Sequence, residues 1–185
     1  MNIGEILVYL NPLLILSAIY FGYQNLDKKN PNSERNFDSL SYLILGNQTF
    51  LLILLAYYFL TTNLKFEYVS DYSSEDLSIG YKLAGVWAGR DGTLLIWTWA
   101  TSLTLVLERY FHKEKEMQRE LTSLIGMGLL LALCTIQLFI NPFGLNETTP
   151  TTGNGLNPLL LSPYMIIHPP IVFVSYGMIV FLYAS

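Results

Sequence analysis

Five apolar stretches, each about long enough to cross a bilayer, constrain this chain more than any other feature. A hydrocarbon interior of about 30 Å is spanned by roughly 20 predominantly apolar helical residues. Such runs occur at about 4–23, 39–61, 93–107, 121–140 and 166–185. Lipid offers no partner to a backbone amide, so runs of this kind close their hydrogen bonds as helices. Only 13% of the residues are charged and 52% are hydrophobic, whereas soluble domains carry about a quarter charged residues. The reading is an all-α, polytopic membrane protein of about five transmembrane helices, with membrane lipid as its surroundings. A net charge of −4 and the absence of a basic stripe give no footprint for nucleic acid.

The segments between the runs set an orientation. The first run has no basic segment before it and no small-residue cleavage site after it, so it does not read as a cleaved signal peptide. Residues 24–38 form a polar loop with Lys28, Lys29 and Arg35. Residues 108–120 alternate Arg109, Lys113, Lys115 and Arg119 with four glutamates, which reads as a solvated helical connector. These two segments hold seven of the ten Lys and Arg residues, and the positive-inside rule makes them cytoplasmic. The N-terminus and the loops 63–92 and 141–165 then lie on the extracytoplasmic side. The last run ends in Tyr183-Ala184-Ser185 without a polar flank, which reads as one piece of a longer or divided protein.

Two motifs stand in the outward loops. The first is Trp87-Ala88-Gly89-Arg90-Asp91-Gly92, followed by Trp97 and Trp99. Its glycines allow close backbone approach or positive φ, and Asp91 is placed to cap the helix that follows. The tryptophans read either as an interfacial belt or as a shelf for a flat cofactor. Arg90 is a candidate to hold a carboxylate bidentately; the alternative is a local ion pair with Asp91. The second motif centres on His168, followed by Pro169 and Pro170. Proline restricts the residue before it to extended backbone and suits a first helical turn, so His168 is expected as a rigid cap where the last span begins. There a neutral imidazole serves as an iron ligand, or as a helix cap or interface anchor.

Other residues read blandly. Cys134 lies within an apolar run as a small buried side chain, and His112 sits in the charged connector as a solvated histidine. Tyr57, Tyr58 and Phe59 read as interface anchors. Asn146-Glu147-Thr148 is a glycosylation sequon in an outward loop. No phosphate-binding loop, His-Glu-x-x-His, nucleophile elbow or chain of intramembrane carboxylates is present.

At Tyr81–Trp97 and, over a longer stretch, Asn141–Gly177, the chain resembles the N-terminal part of the CcmF family, the haem lyase component of cytochrome c maturation. The second stretch includes Leu156-Asn157-Pro158-Leu159-Leu160-Leu161-Ser162-Pro163-Tyr164 and the run through His168-Pro169-Pro170. The resemblance implies a multi-pass protein of the plasma (inner) membrane that holds haem at the outer face for attachment to apocytochrome c. It makes His168 an axial ligand to haem iron, oriented by Pro169 and Pro170, with the Trp87–Gly92 region on the same face; a haem propionate is then the candidate carboxylate for Arg90, a position to which the resemblance itself assigns no role. It further implies a haem chaperone as partner, and a remaining portion of the lyase that carries the family's tryptophan-rich segment and further haem-ligand histidines. The family usually has Gly-Ser where this chain has Gly92-Thr93, and often His-Glu where it has Arg90-Asp91. A haem channel or carrier without ligation activity, and a structural membrane subunit, are the competing readings.

Overall fold

The computed structural model describes residues 1–27, 30–111 and 116–184; His112 lies outside them. Five long helices fall on the five apolar runs: α1 (Ile3–Leu26), α2 (Ser33–Leu60), α5 (Arg90–Phe111), α6 (Glu116–Gln137) and α7 (Pro163–Ala184). Two short ones, α3 (Glu67–Tyr72) and α4 (Ile79–Gly85), occupy the segment read as loop 63–92. No strand is present among the described residues, and the chain is an all-α membrane protein.

Helix α1 begins one residue before its predicted run and the other four begin three to six residues before theirs, because helical hydrogen bonding continues past the apolar stretch into polar sequence. Arg35 and Asp38, read as loop, are in the first turns of α2. Helix α1 starts at a reciprocal cap: Asn2 Oδ1 accepts from the Glu5 N–H at 3.0 Å, while Glu5 Oε2 accepts from the Asn2 N–H at 2.9 Å. Pro12 lies within α1. Beside it, Asn47 of α2 donates to the Leu7 carbonyl at 3.0 Å and to Asn11 Oδ1 at 2.7 Å. A neighbouring helix thus supplies donors next to a proline.

Helices α1 and α2 each bury one narrow stripe. In α1 it comprises Gly4, Val8, Asn11, Ile15, Ala18 and Gly22; in α2, Phe37, Ser41, Ile44, Gln48, Leu51, Leu55 and Phe59. The alternating spacing of three and four is that of helices packed along a shared seam. Their other faces leave Leu13, Leu16, Leu43 and Ile53 exposed, as lipid-facing surfaces do. Phe59, read as an interface anchor, is instead fully buried and meets the Tyr68 ring edge-on at 5.5 Å.

Helix α5 is the hub, packed against α2, α6 and α7, while α1 closes the bundle against α2 and α6. Three helices are long and apolar enough to cross a membrane, α1, α2 and the 117–137 part of α6; the 163–179 part of α7 is a shorter apolar segment. Helix α5 matches them in length but not in composition. It carries Thr98, Thr101, Ser102 and Thr104, and enclosure by other helices makes these tolerable. Each hydroxyl donates to a carbonyl three or four residues back in its own helix.

All five long helices run between the same two ends. One holds Met1, residues 62–89 and residues 138–162; the other holds the end of α1, the start of α2, the end of α5 and the start of α6. At the second end the connector differs from its solvated reading: Arg109, Arg119 and Glu120 are all buried. Arg109 donates to Asp38 at 2.6 Å and to both Glu120 oxygens at 3.1 Å, and its guanidinium lies 4.4 Å from the Phe37 ring centre. Arg119 donates to Glu34 and Glu120. These charges face inward because α2 begins six residues before its apolar run and brings Glu34 and Asp38 to them.

Candidate functional site

The loop end is a single packed layer. Phe66 pairs with Leu145 as an isolated antiparallel bridge, and the Glu67 N–H donates to the Gly144 carbonyl at 3.0 Å. Asn146 Nδ2 donates to the Leu64 carbonyl at 2.9 Å and to Ser70 Oγ at 3.0 Å. A glycan on that nitrogen would replace one of its two N–H donors and break at least one of these bonds, which argues against the sequon reading. The Asn154 N–H reaches the Ser70 carbonyl at 2.7 Å, and Asn2 Nδ2 reaches that of Phe143. Residues 64–70 and 144–154 thus pack together at one end of the molecule.

The turn that bears the tryptophan motif is organised by a residue that sequence reasoning missed. Tyr68 is buried with its hydroxyl inside the α4–α5 connection, accepting from the Gly89 N–H at 3.0 Å and lying 3.2 Å from the Val86 carbonyl. Burial pushes its phenol well above the usual tyrosine value, and hydrogen bonds from the Gly89 and Gly92 backbone offset only part of this. Gly92 is required by close approach, since a Cβ there would collide with the Val86 carbonyl. Asp91 is not the cap of α5. The helix starts one residue earlier, at Arg90, and Asp91 sits in its first turn, where a carboxylate favours the helix dipole.

The three tryptophans join elements rather than form a belt. Trp97 packs against Phe173 and Tyr176 of α7, with ring centres 6.3 and 6.1 Å away. Trp99 Nε1 donates to Thr49 Oγ1 of α2 at 3.0 Å. Trp87 is half-buried against the core, and its Nε1 donates to the Met165 carbonyl at 2.8 Å.

His168 is not the cap of α7. Ser162-Pro163 starts the helix earlier, with proline at its first position, so His168 stands in the second turn and Pro169 and Pro170 lie inside the helix. The imidazole is exposed and has no hydrogen-bond partner among the described residues. It shares its face of α7 with exposed Tyr164, Ile167 and Ile171.

Arg90 stands apart from it. Its side chain is 76% exposed and lies 3.4 Å from Asp91, the local pairing that competed with carboxylate binding. It lines a cleft of about 540 Å³ with Glu67, Tyr68, Asp71, Tyr72, Asp91, Phe139 and Asn141. His168 is not part of that cleft, so the structure joins Trp87 to the His168 helix but leaves Arg90 among acidic neighbours. No group of three or more His, Cys, Asp or Glu side chains suited to a metal ion occurs among the described residues. Cys134 is buried as expected, and it accepts a hydrogen bond from Gln48 Nε2 at 3.3 Å.

No family model and no solved structure matches the chain. Among curated proteins it is 33% identical over 153 residues to the cytochrome c-type biogenesis protein NrfE of Haemophilus influenzae, an alignment covering 82% of this chain and 24% of that protein. It is 33% identical over 125 residues to the probable NrfE of Escherichia coli K12, covering 66% and 23% of the two chains. It is 26% identical over 172 residues to the cytochrome c-type biogenesis protein CcmF of Escherichia coli K12, covering 89% and 26%. The chain thus spans about a quarter of the length of the curated relatives it matches.

Proposed function

Because the chain is homologous to the CcmF and NrfE cytochrome c-type biogenesis proteins, we propose that it serves cytochrome c biogenesis, holding haem at the outer face of the inner membrane for covalent attachment to apocytochrome c. The observation that carries this reading is the His168 imidazole, exposed and unpartnered on a helix bound to the Trp87 turn. A neutral imidazole with both nitrogens free can give one of them to iron and use the other to fix its tautomer.

The residues fit haem as cargo unevenly. Tyr164, Ile167 and Ile171 present an aromatic and aliphatic surface beside His168 for a porphyrin face. Pro169 and Pro170 stiffen the segment that bears the ligand. Arg90 remains the candidate for a haem propionate, in competition with Asp91 beside it. The chemistry supplied by the cargo is the reaction of its vinyl groups with cysteine thiols. The chain's contribution is orientation, a proximity effect rather than acid–base catalysis.

On this reading the site is shared. The remaining part of the lyase, with its tryptophan-rich segment, completes the enclosure; a haem chaperone delivers the cargo, and apocytochrome c receives it. The outer-face assignment places the loop end outside the cytoplasm, in keeping with the distribution of basic residues. The test is His168→Ala in the assembled membrane complex, followed by haem absorption and low-spin electron paramagnetic resonance. Loss or conversion of the low-spin signal is expected; an unchanged spectrum removes the ligand assignment. Thioether formation on an added apocytochrome then separates a lyase from a haem carrier.

A further inference from the structure

The hydrogen-bond ladder of α7 is interrupted where His168 stands. In a regular α-helix the N–H of each residue bonds to the carbonyl four residues back, and proline has no N–H. Pro169 therefore leaves the Met165 carbonyl without its helical donor. That oxygen is met from outside the helix by the Trp87 indole, 2.8 Å away and 78 positions earlier in the chain.

The donor is firmly mounted. The Trp87 ring packs against the core cluster that includes Phe59, Tyr68 and Val86. Its own carbonyl accepts from Thr93 Oγ1 at 3.2 Å, which ties it to the first turn of α5. Two residues on, the Gly89 N–H is held by the Tyr68 hydroxyl. An unpaired carbonyl within a membrane helix has no water to bond, so partners from neighbouring elements are the usual remedy at proline. The contact beside Pro12 in α1 differs: Asn47 donates to the Leu7 carbonyl, not to that of Val8, which is the one Pro12 leaves without a helical donor.

We infer that Trp87 is a positioning residue for His168. Its indole N–H replaces the donor that Pro169 lacks, fixes the bend of α7 between Met165 and Pro169, and so sets the direction of the imidazole. The inference rests on the haem-ligation reading for its purpose, because it assumes that the direction of His168 matters. The bond itself forms between protein groups and is testable without haem.

The decisive property is coupling between Trp87 and Pro169. Trp87→Phe removes the N–H, and the isosteric sulfur analogue of tryptophan at the same position removes it without changing ring size, which covers the case in which the smaller ring fails to fold. Pro169→Ala restores a backbone N–H able to bond to the Met165 carbonyl, which makes the indole donor redundant. Positions 90 and 168 are both exposed, so nitroxides can be attached there and their separation measured in the whole membrane-embedded chain. With Pro169 present, loss of the indole N–H is expected to broaden the distance distribution about twofold, and with Pro169→Ala much less, as for any two residues acting on one group. Equal broadening in both backgrounds, or none in either, overturns the inference.

A second measurement uses intact His168 in the haem-loaded complex. The sulfur analogue at position 87 is expected to shift the low-spin resonance without abolishing it, whereas His168→Ala abolishes it. If His168→Ala leaves the haem spectrum unchanged, the ligation reading falls, and the distance measurement still decides whether Trp87 orients position 168.

Discussion

The two ends of this bundle are fastened by opposite chemistries. At the α5–α6 end, Arg109 and Arg119 share Glu120 and reach Asp38 and Glu34 of α2, with the side chains of Arg109, Arg119 and Glu120 no more than 8% exposed. At the loop end, fastening is by neutral hydrogen bonds and rings: Tyr68 inside the α4–α5 turn, Trp87 on the Met165 carbonyl, Tyr58 stacked on Phe66. The ion pair beside the candidate site, Arg90–Asp91, is largely in solvent. A buried charge network fails as a unit, because each member removed strands the others. Neutral bonds fail singly. The end that presents His168 is therefore the end whose geometry can be adjusted one contact at a time.

Glu120→Ala gives the largest expected effect. It leaves two buried guanidinium groups adjacent, paired with the partly exposed Asp38 and Glu34. Breaking a buried pair in this way costs about 3–5 kcal/mol. The expected outcome is a large drop in thermal stability of the protein in nanodiscs. In molecules still folded, the distance between labels at positions 90 and 168 stays unchanged. A distance change as large as that caused by altering Trp87 would break the contrast between the ends.

Tyr68→Phe comes next and tests the loop end. It removes the hydroxyl that accepts from the buried Gly89 N–H at 3.0 Å, and an unpaired buried donor costs about 1–3 kcal/mol. The consequence should be local. Amide exchange over residues 86–92 is expected to speed up while that of α1 and α2 is unchanged; uniform acceleration through the bundle would show that the turn is not an independent unit.

Helix positions were legible in the sequence because length and apolarity in lipid leave few alternatives. Helix ends were not, since Ser162-Pro163 offers an earlier start than the pair at Pro169 and Pro170. The buried charges at Arg109, Arg119 and Glu120 were misread for a related reason. Charge density in a connector says nothing about carboxylates brought to it from α2, 71 residues earlier for Arg109 and 85 for Arg119. At the candidate site, Pro169 announces that the Met165 carbonyl lacks a donor; what the sequence does not contain is which donor arrives. Tyr68 gave no signal either, because one tyrosine among 13 is distinguished only by where α3 packs it.

Arg90→Gln carries the smallest expected effect on folding and the finest discrimination about the site. The side chain is 76% exposed and its contact with Asp91 is long at 3.4 Å, so loss of the pair should change stability by less than about 1 kcal/mol. If Arg90 serves only Asp91, haem retention by the complex is expected to be unchanged as well. If it holds a propionate, retention weakens while the melting temperature does not move, and the loss grows smaller at high salt as the contact is screened. Asp91→Asn separates the two further. It frees the guanidinium from its neighbour, so a propionate contact should strengthen, whereas a purely local pair leaves haem retention where it was. Opposite responses to these two substitutions would place Arg90 in the site with His168, even though the two residues line no common cleft in the chain by itself.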